Sequence, residues 1–261
     1  MPDAALDDIA RAFDLRAGFT TFTQRSGGAS VRPMIDHAHD LACVQDATER
    51  LLSAVAELDN ASLAEPSRLP GWTRGHVLAH LARNADALVN VLEGRPMYVS
   101  AEARDADIER DAPRPLGEQL ADLRESAARF QAAGDAPADW SRTVELRNGV
   151  TDSAAQVPFR RWAEVELHHV DLGIGYELED LPAEFTDREI DFLAQRFTGH
   201  KEVPSISLTG GNGRIWTTGG GAEGGPVEVE GAAADLLGWL AGRRDGSGLS
   251  TKGTLPELPP L

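Results

Sequence analysis

In the segment Leu69-Pro70-Gly71-Trp72-Thr73-Arg74-Gly75-His76-Val77-Leu78-Ala79-His80-Leu81-Ala82-Arg83-Asn84-Ala85-Asp86-Ala87-Leu88, Thr73 stands where a helix N-cap belongs. Behind it Val77, Leu78, Leu81 and Leu88, continued by Val91 and Leu92, recur at helical spacing, and Gly94 and Pro96 end the run. Three more helices surround it in the sequence. Upstream, Leu41, Val44, Leu51, Leu52, Val55 and Leu58 predict one between Ile35 and Leu58. Downstream, a polar connection containing Met97-Tyr98-Val99 leads to Pro115, and Leu120, Leu123, Ala127 and Phe130 predict a helix from Leu116 to Ala132. After an extended segment at Trp140–Leu146, the last begins near Val157-Pro158 and runs to Gly173 on Trp162, Val165, Leu167, Val170 and Leu172. Four helices of this length imply an antiparallel bundle with at least one long connection.

The histidines give this bundle its chemistry. His76 and His80 lie four residues apart on one helix; Glu164, His168 and Asp171 share a face of another. Facing bundle helices can project such side chains inward to build a metal site. Two imidazoles and a carboxylate with a position left open form the catalytic zinc pattern and also suit other divalent metals. Spacing leaves another reading open, in which Glu164 and His168 are an i, i+4 ion pair on a solvated face. Against it, the apolar neighbours of His80 and Glu164 place both helices in a core, where buried polar groups need partners. His37, His39 and His200 have no partner at ligand spacing and read as surface or hydrogen-bonded residues.

Composition narrows the rest. Lys plus Arg number 25 against 42 Asp plus Glu, a formal charge of −17, the wrong sign for phosphate backbones or anionic lipid. Cys43 is the single cysteine, so neither an intramolecular disulfide nor a cysteine metal site is expected; it reads as a core residue of the first helix. No apolar run is long enough for a transmembrane helix, and the N-terminus lacks a secretory pattern, so a cytoplasmic location is expected. Residues 1–33 read as a detached extension carrying a short amphipathic segment at Asp3–Arg16, with Met34 a candidate natural start. Residues 34–180 form the bundle, and 181–261 a small domain of helix and alternating strands, so the fold class is α+β.

The segment from Leu69 to Leu88 resembles the signature of the mycothiol-dependent maleylpyruvate isomerases, a branch of the DinB-like four-helix-bundle metalloproteins. Pro96-Met97-Tyr98-Val99-Ser100, Arg161–Gly173 and Ala241-Gly242-Arg243 agree with it in order and spacing. The resemblance implies a DinB-like bundle followed by a small α/β C-terminal domain. It implies zinc held by His80, Glu164 and His168, with His76 and His169 as neighbours and not ligands. It also implies a substrate-clamping arginine at Arg243, with Arg244 as an ambiguous alternative, and leaves Asp171 to orient that arginine.

The implied reaction is the cis–trans isomerisation of maleylpyruvate to fumarylpyruvate with mycothiol as thiol cosubstrate. Adding a thiolate makes the double bond single, and elimination after rotation restores it in the trans form. The expected partners are mycothiol and a small unsaturated dicarboxylate, with the protein a monomer. Two further readings remain at this point. A mycothiol S-transferase acting on electrophiles would keep the metal site and change the pocket; a non-enzymatic metal-binding regulator would have no turnover to lose.

Overall fold

A computed structural model describes residues 35–136, 138–222 and 225–259. The readings at Asp3–Arg16 and Met34 fall outside them. The described chain divides into two compact units, residues 35–174 and 175–259.

The first unit is built on α1 (His37–Ala56), α3 (Arg74–Leu92), α5 (Leu116–Asp135) and α6 (Val157–Asp171), with a short helix α2 (Asn60–Leu63) after the first. Helix α1 packs on α5 and α6, and α3 packs on the same two, which closes a four-helix ring. The apolar stripes read from the sequence are its core: Leu41, Val44, Leu51 and Val55 of α1 meet Val77, Leu78, Leu81 and Leu88 of α3, Leu123 and Phe130 of α5, and Val165 of α6. Each such side chain contributes roughly 1.5–3 kcal/mol by leaving water.

The connection between α3 and α5, expected to be irregular, contains helix α4 (Ala101–Asp111), which packs on α3. Its sequence carries a single aliphatic core residue, Ile108, and its other buried positions are Arg104 and Asp111, so no apolar stripe announces it. Ser100 caps it by accepting from the amide of Ala103 at 3.1 Å. Gly75 lets α3 approach the end of α4: a Cβ there would stand 2.3 Å from the Ala112 carbonyl oxygen. Buried Gln119 ties the two together by donating to Ala112 O at 2.9 Å and Gly75 O at 3.3 Å. Between α5 and α6, the extended segment expected at Trp140–Leu146 is confined to β1 (Thr143–Glu145), paired antiparallel with β2 (Thr151–Ser153).

In the second unit, α7 (Ala183–Phe197) packs on β4 (Ile215–Thr218) and α8 (Ala233–Leu240). The sheet runs β4, β3 (Ile206–Gly210), β5 (Val227–Gly231), β6 (Ser250–Thr251). Strands β3 and β5 are parallel, and the other pairs antiparallel. Phe185, Ile190, Ile206, Leu208, Leu236 and Leu237 fill this unit's interior. No helix among the described residues is long and apolar enough to cross a membrane.

Candidate metal centre

Helix α3 starts where Thr73 and His76 cap each other. The Thr73 side chain accepts from the His76 amide, and His76 Nδ1 receives the Thr73 amide at 3.2 Å. His76 Nε2 lies 3.4 Å from Glu109. That histidine therefore serves the helix start, and one turn later His80 enters the bundle at 4% exposure, its ring 5.5 Å from that of Trp72.

Helix α6 faces it with Glu164 and His168. Glu164 Oε2 stands 3.0 Å from His80 Nε2 and 3.3 Å from His168 Nε2, and one ligand atom from each of the three residues lies within 4.8 Å of the others. Two donors each about 2.1 Å from a tetrahedral ion stand about 3.4 Å apart, so this spacing suits a metal. The donor set suits it too: two nitrogens and an oxygen match zinc, nickel, cobalt or iron. His169, although buried, belongs to no such group, because it points about 100° around the helix from His168. His37 stacks on Trp140 with ring centres 4.2 Å apart. His39 reaches Cys43 Sγ at 3.5 Å, and His200 Nδ1 accepts from the amide of Glu202.

Asp171 lies one turn past His168. Its Oδ2 is 2.8 Å from His168 Nδ1, and both side chains are buried. The carboxylate thus turns His168 Nε2 toward Glu164, the arrangement by which outer carboxylates orient metal-binding imidazoles. Asp171, for which the resemblance implies an arginine-orienting role, thus has His168 as a partner.

Two buried arginines beside this group were not anticipated. Arg104 of α4, 7% exposed, donates from Nη2 to His80 Nδ1 at 3.2 Å and from Nη1 to Asp105 at 2.7 Å. A guanidinium has donors only, so Nδ1 presents its lone pair, and the proton of neutral His80 sits on Nε2 toward Glu164. Arg161 of α6 donates to Leu81 O at 2.9 Å and Asn84 Oδ1 at 2.8 Å. Arginine ordinarily reads as a surface residue, and nothing in the spacing of either one marks it as buried. A chain of net charge −17 thereby keeps two cations at its metal-binding face.

The electrostatics follow from this packing. Burial pushes His80 down to about 4, aided by the positive neighbours His168 and Arg104, although Glu164 pulls the other way. Burial opposes ionisation of Glu164, but hydrogen bonds from His168 and His80 outweigh it and hold the carboxyl well below its usual range. For His168, burial favours the neutral ring; the bonds to Asp171 and Glu164 overcome it and raise the pKa. Burial also lowers Arg161, to about 10, leaving it charged at neutral pH.

In the second unit, the Arg243 side chain donates to Ala241 O at 2.8 Å and is half-buried. Arg244 is held within its own unit by Asp235 at 2.6 Å and by both oxygens of Glu179 at 2.6 and 2.8 Å.

Two family models match this chain. The mycothiol maleylpyruvate isomerase N-terminal domain matches residues 44–173, and the MDMPI C-terminal domain matches 180–260. Among solved structures, the crystal structure of the mycothiol-dependent maleylpyruvate isomerase superposes with a TM-score of 0.78 at 29% identity, covering 86% of this chain and 96% of that one. A histidine-to-alanine mutant of that isomerase gives the same score and coverage at 28% identity. No curated protein sequence matches the chain.

Proposed function

Because the chain belongs to the mycothiol maleylpyruvate isomerase family, we propose that it converts maleylpyruvate to fumarylpyruvate with mycothiol as thiol cosubstrate. The observation that carries this reading is the buried group His80, Glu164 and His168, set among arginines in a bundle of that family. These three residues would hold a divalent metal, for which we propose zinc. When bound, it would supply the charge that keeps a thiol deprotonated near neutral pH.

The protein's own residues do the rest. Asp171 fixes the His168 ring, and Glu164 serves as a ligand and not as a base, since its carboxyl is held far below the range of a useful proton acceptor. Isomerisation needs negative charge to move onto a substrate carbonyl oxygen while the carbon–carbon bond is single. Buried cations stabilise such charge strongly because little water screens them, and Arg104 and Arg161 provide that field. We assign Arg243 to a substrate carboxylate, which a planar guanidinium binds through two parallel hydrogen bonds. Arg244 is the weaker candidate, since Asp235 and Glu179 already occupy its donors.

On the same reading the protein works as a monomer in the cytoplasm. Its acidic surface, which repels nucleic acid and anionic membrane alike, leaves small molecules as its ligands. The test is to mix the metal-loaded protein with mycothiol and maleylpyruvate and to follow the absorbance. Conversion that requires the thiol supports the assignment, and none at any thiol concentration overturns it.

A further inference from the structure

The bundle unit holds a cavity of about 520 Å³ that the metal-binding group does not occupy. It is bounded by the connection from α3 to α4 and by the segment from β1 into the following turn. Its walls are of two kinds. Met97 and Tyr98 give it apolar and aromatic faces, while Arg95, Arg142 and Arg147 bring planar hydrogen-bond donors. Those donors are set in place by the fold. Arg142 donates to the carbonyl of Leu92 at the end of α3, and Arg95 reaches Asn90 Oδ1 at 2.8 and 3.0 Å. Next to Arg147, Asn148 and Gly149 both take positive φ, 60° and 74°, which forms a tight turn at the rim.

One lining residue, Tyr98, connects the cavity to the metal centre through Arg104. The Arg104 guanidinium lies 5.9 Å from the centre of the Tyr98 ring, and the same guanidinium donates to His80 Nδ1. Tyr98 thus faces the cavity and stands against the residue that touches a metal ligand.

The size and character of the space select among the ligands. A volume of this size lies within the range of about 300–1,000 Å³ that takes drug-sized molecules, and a small dicarboxylate would leave most of it empty. Mycothiol carries its cysteine on a glucosamine–inositol body, which is bulky, uncharged and covered in hydroxyls. Such a body needs flat, partly apolar faces for its C–H surface and fixed donors for its hydroxyls. We propose that this cavity holds the sugar–inositol body of mycothiol, so that its cysteine arm extends toward His80, Glu164 and His168. The inference rests on the isomerase reading above and assigns the cosubstrate a binding site that the metal ligands do not supply.

Filling the cavity tests it. Ala101 lines the space, is exposed at the first position of α4, and touches none of the three ligands. In the Ala101→Trp protein, loaded with metal, the KM for mycothiol rises by about tenfold or more while the KM for maleylpyruvate stays within about twofold, the mark of lost cosubstrate binding. Calorimetry with thiol-free N-acetylglucosaminyl-inositol, which keeps the amide and lacks the thiol that would engage the metal, shows binding to the original protein and none to the variant. Thr143→Trp, placed on β1, repeats the experiment should Ala101→Trp not fold. An unchanged mycothiol KM in a folded variant, a shift in the maleylpyruvate KM instead, or equal binding of N-acetylglucosaminyl-inositol to both proteins overturns the assignment. Absence of thiol-dependent turnover in the original protein strikes the isomerase reading, and the calorimetry still decides what the cavity binds.

Discussion

Replacing Asp171 by Asn removes one charge from a buried pair and leaves its shape. His168 Nδ1 lies 2.8 Å from Asp171 Oδ2, with the side chains 2% and 0% exposed, so little solvent screens the interaction. Hydrogen bonds to charged groups are worth about 1.5–3 kcal/mol. Loss of an outer partner of a metal-binding histidine costs about 10–100-fold in metal affinity, or about 1.4–2.7 kcal/mol. The two figures agree, and Asp171→Asn should weaken metal binding by that factor. A chelator competition titration measures it, with circular dichroism confirming that the variant is folded. Because Asp171, together with Glu164, raises the His168 pKa against burial, the His168 resonance should also titrate at lower pH in the metal-free variant. A folded variant with unchanged metal affinity and an unchanged His168 titration would refute this role. If turnover fell all the same, the arginine-orienting role suggested by the sequence would be the better account.

Three other predictions follow from the same geometry. Metal binding has to displace the proton that His168 holds, so below the raised His168 pKa the affinity should fall about tenfold per pH unit, with one proton released. His80, pushed down to about 4, adds a second proton only near that pH, so the slope should steepen there, and a single slope down to pH 3 would contradict the assignment. Arg104→Gln replaces a donor-only group on His80 Nδ1 with one that can accept from it, and should raise metal affinity by about 2–10-fold; weaker binding by competition titration would refute the tautomer argument. Gly75→Ala forces a methyl to within 2.3 Å of a backbone carbonyl oxygen and should destabilise by about 1–3 kcal/mol, read as a lower urea midpoint. An unchanged midpoint would mean that α4 shifts freely.

What could be read in advance follows from how each signal is written into the chain. The bundle helices announced themselves because Leu41, Val77, Leu123 and Val165 belong to continuous apolar stripes, and the start of α3 because Thr73 is a strong cap. The ligand set was visible as spacing on two helices; its convergence was not, because that depends on how α3 packs against α6. Helix α4 escaped notice because it buries Arg104 and Asp111 through ion pairs and hydrogen bonds instead of an apolar face. For the same reason the cations beside the metal centre were hidden: a buried arginine looks like a surface one until its partners are known. Asp171 sat on the right face, and its contact with His168 Nδ1 is a folded distance that spacing alone does not give. The parallel pairing of β3 with β5 is likewise a long-range choice that alternation within each strand does not encode.

The central claim, that His80, Glu164 and His168 hold the metal on which thiol-dependent isomerisation relies, is tested most directly by one titration. Zinc is returned stepwise to stripped protein while mycothiol-dependent loss of maleylpyruvate is followed, with His80→Ala run in parallel. The account predicts a rate that rises from near zero to a plateau at one equivalent of zinc, and no rise in the variant. Full turnover in stripped protein, or full zinc-dependent turnover in His80→Ala, would contradict it.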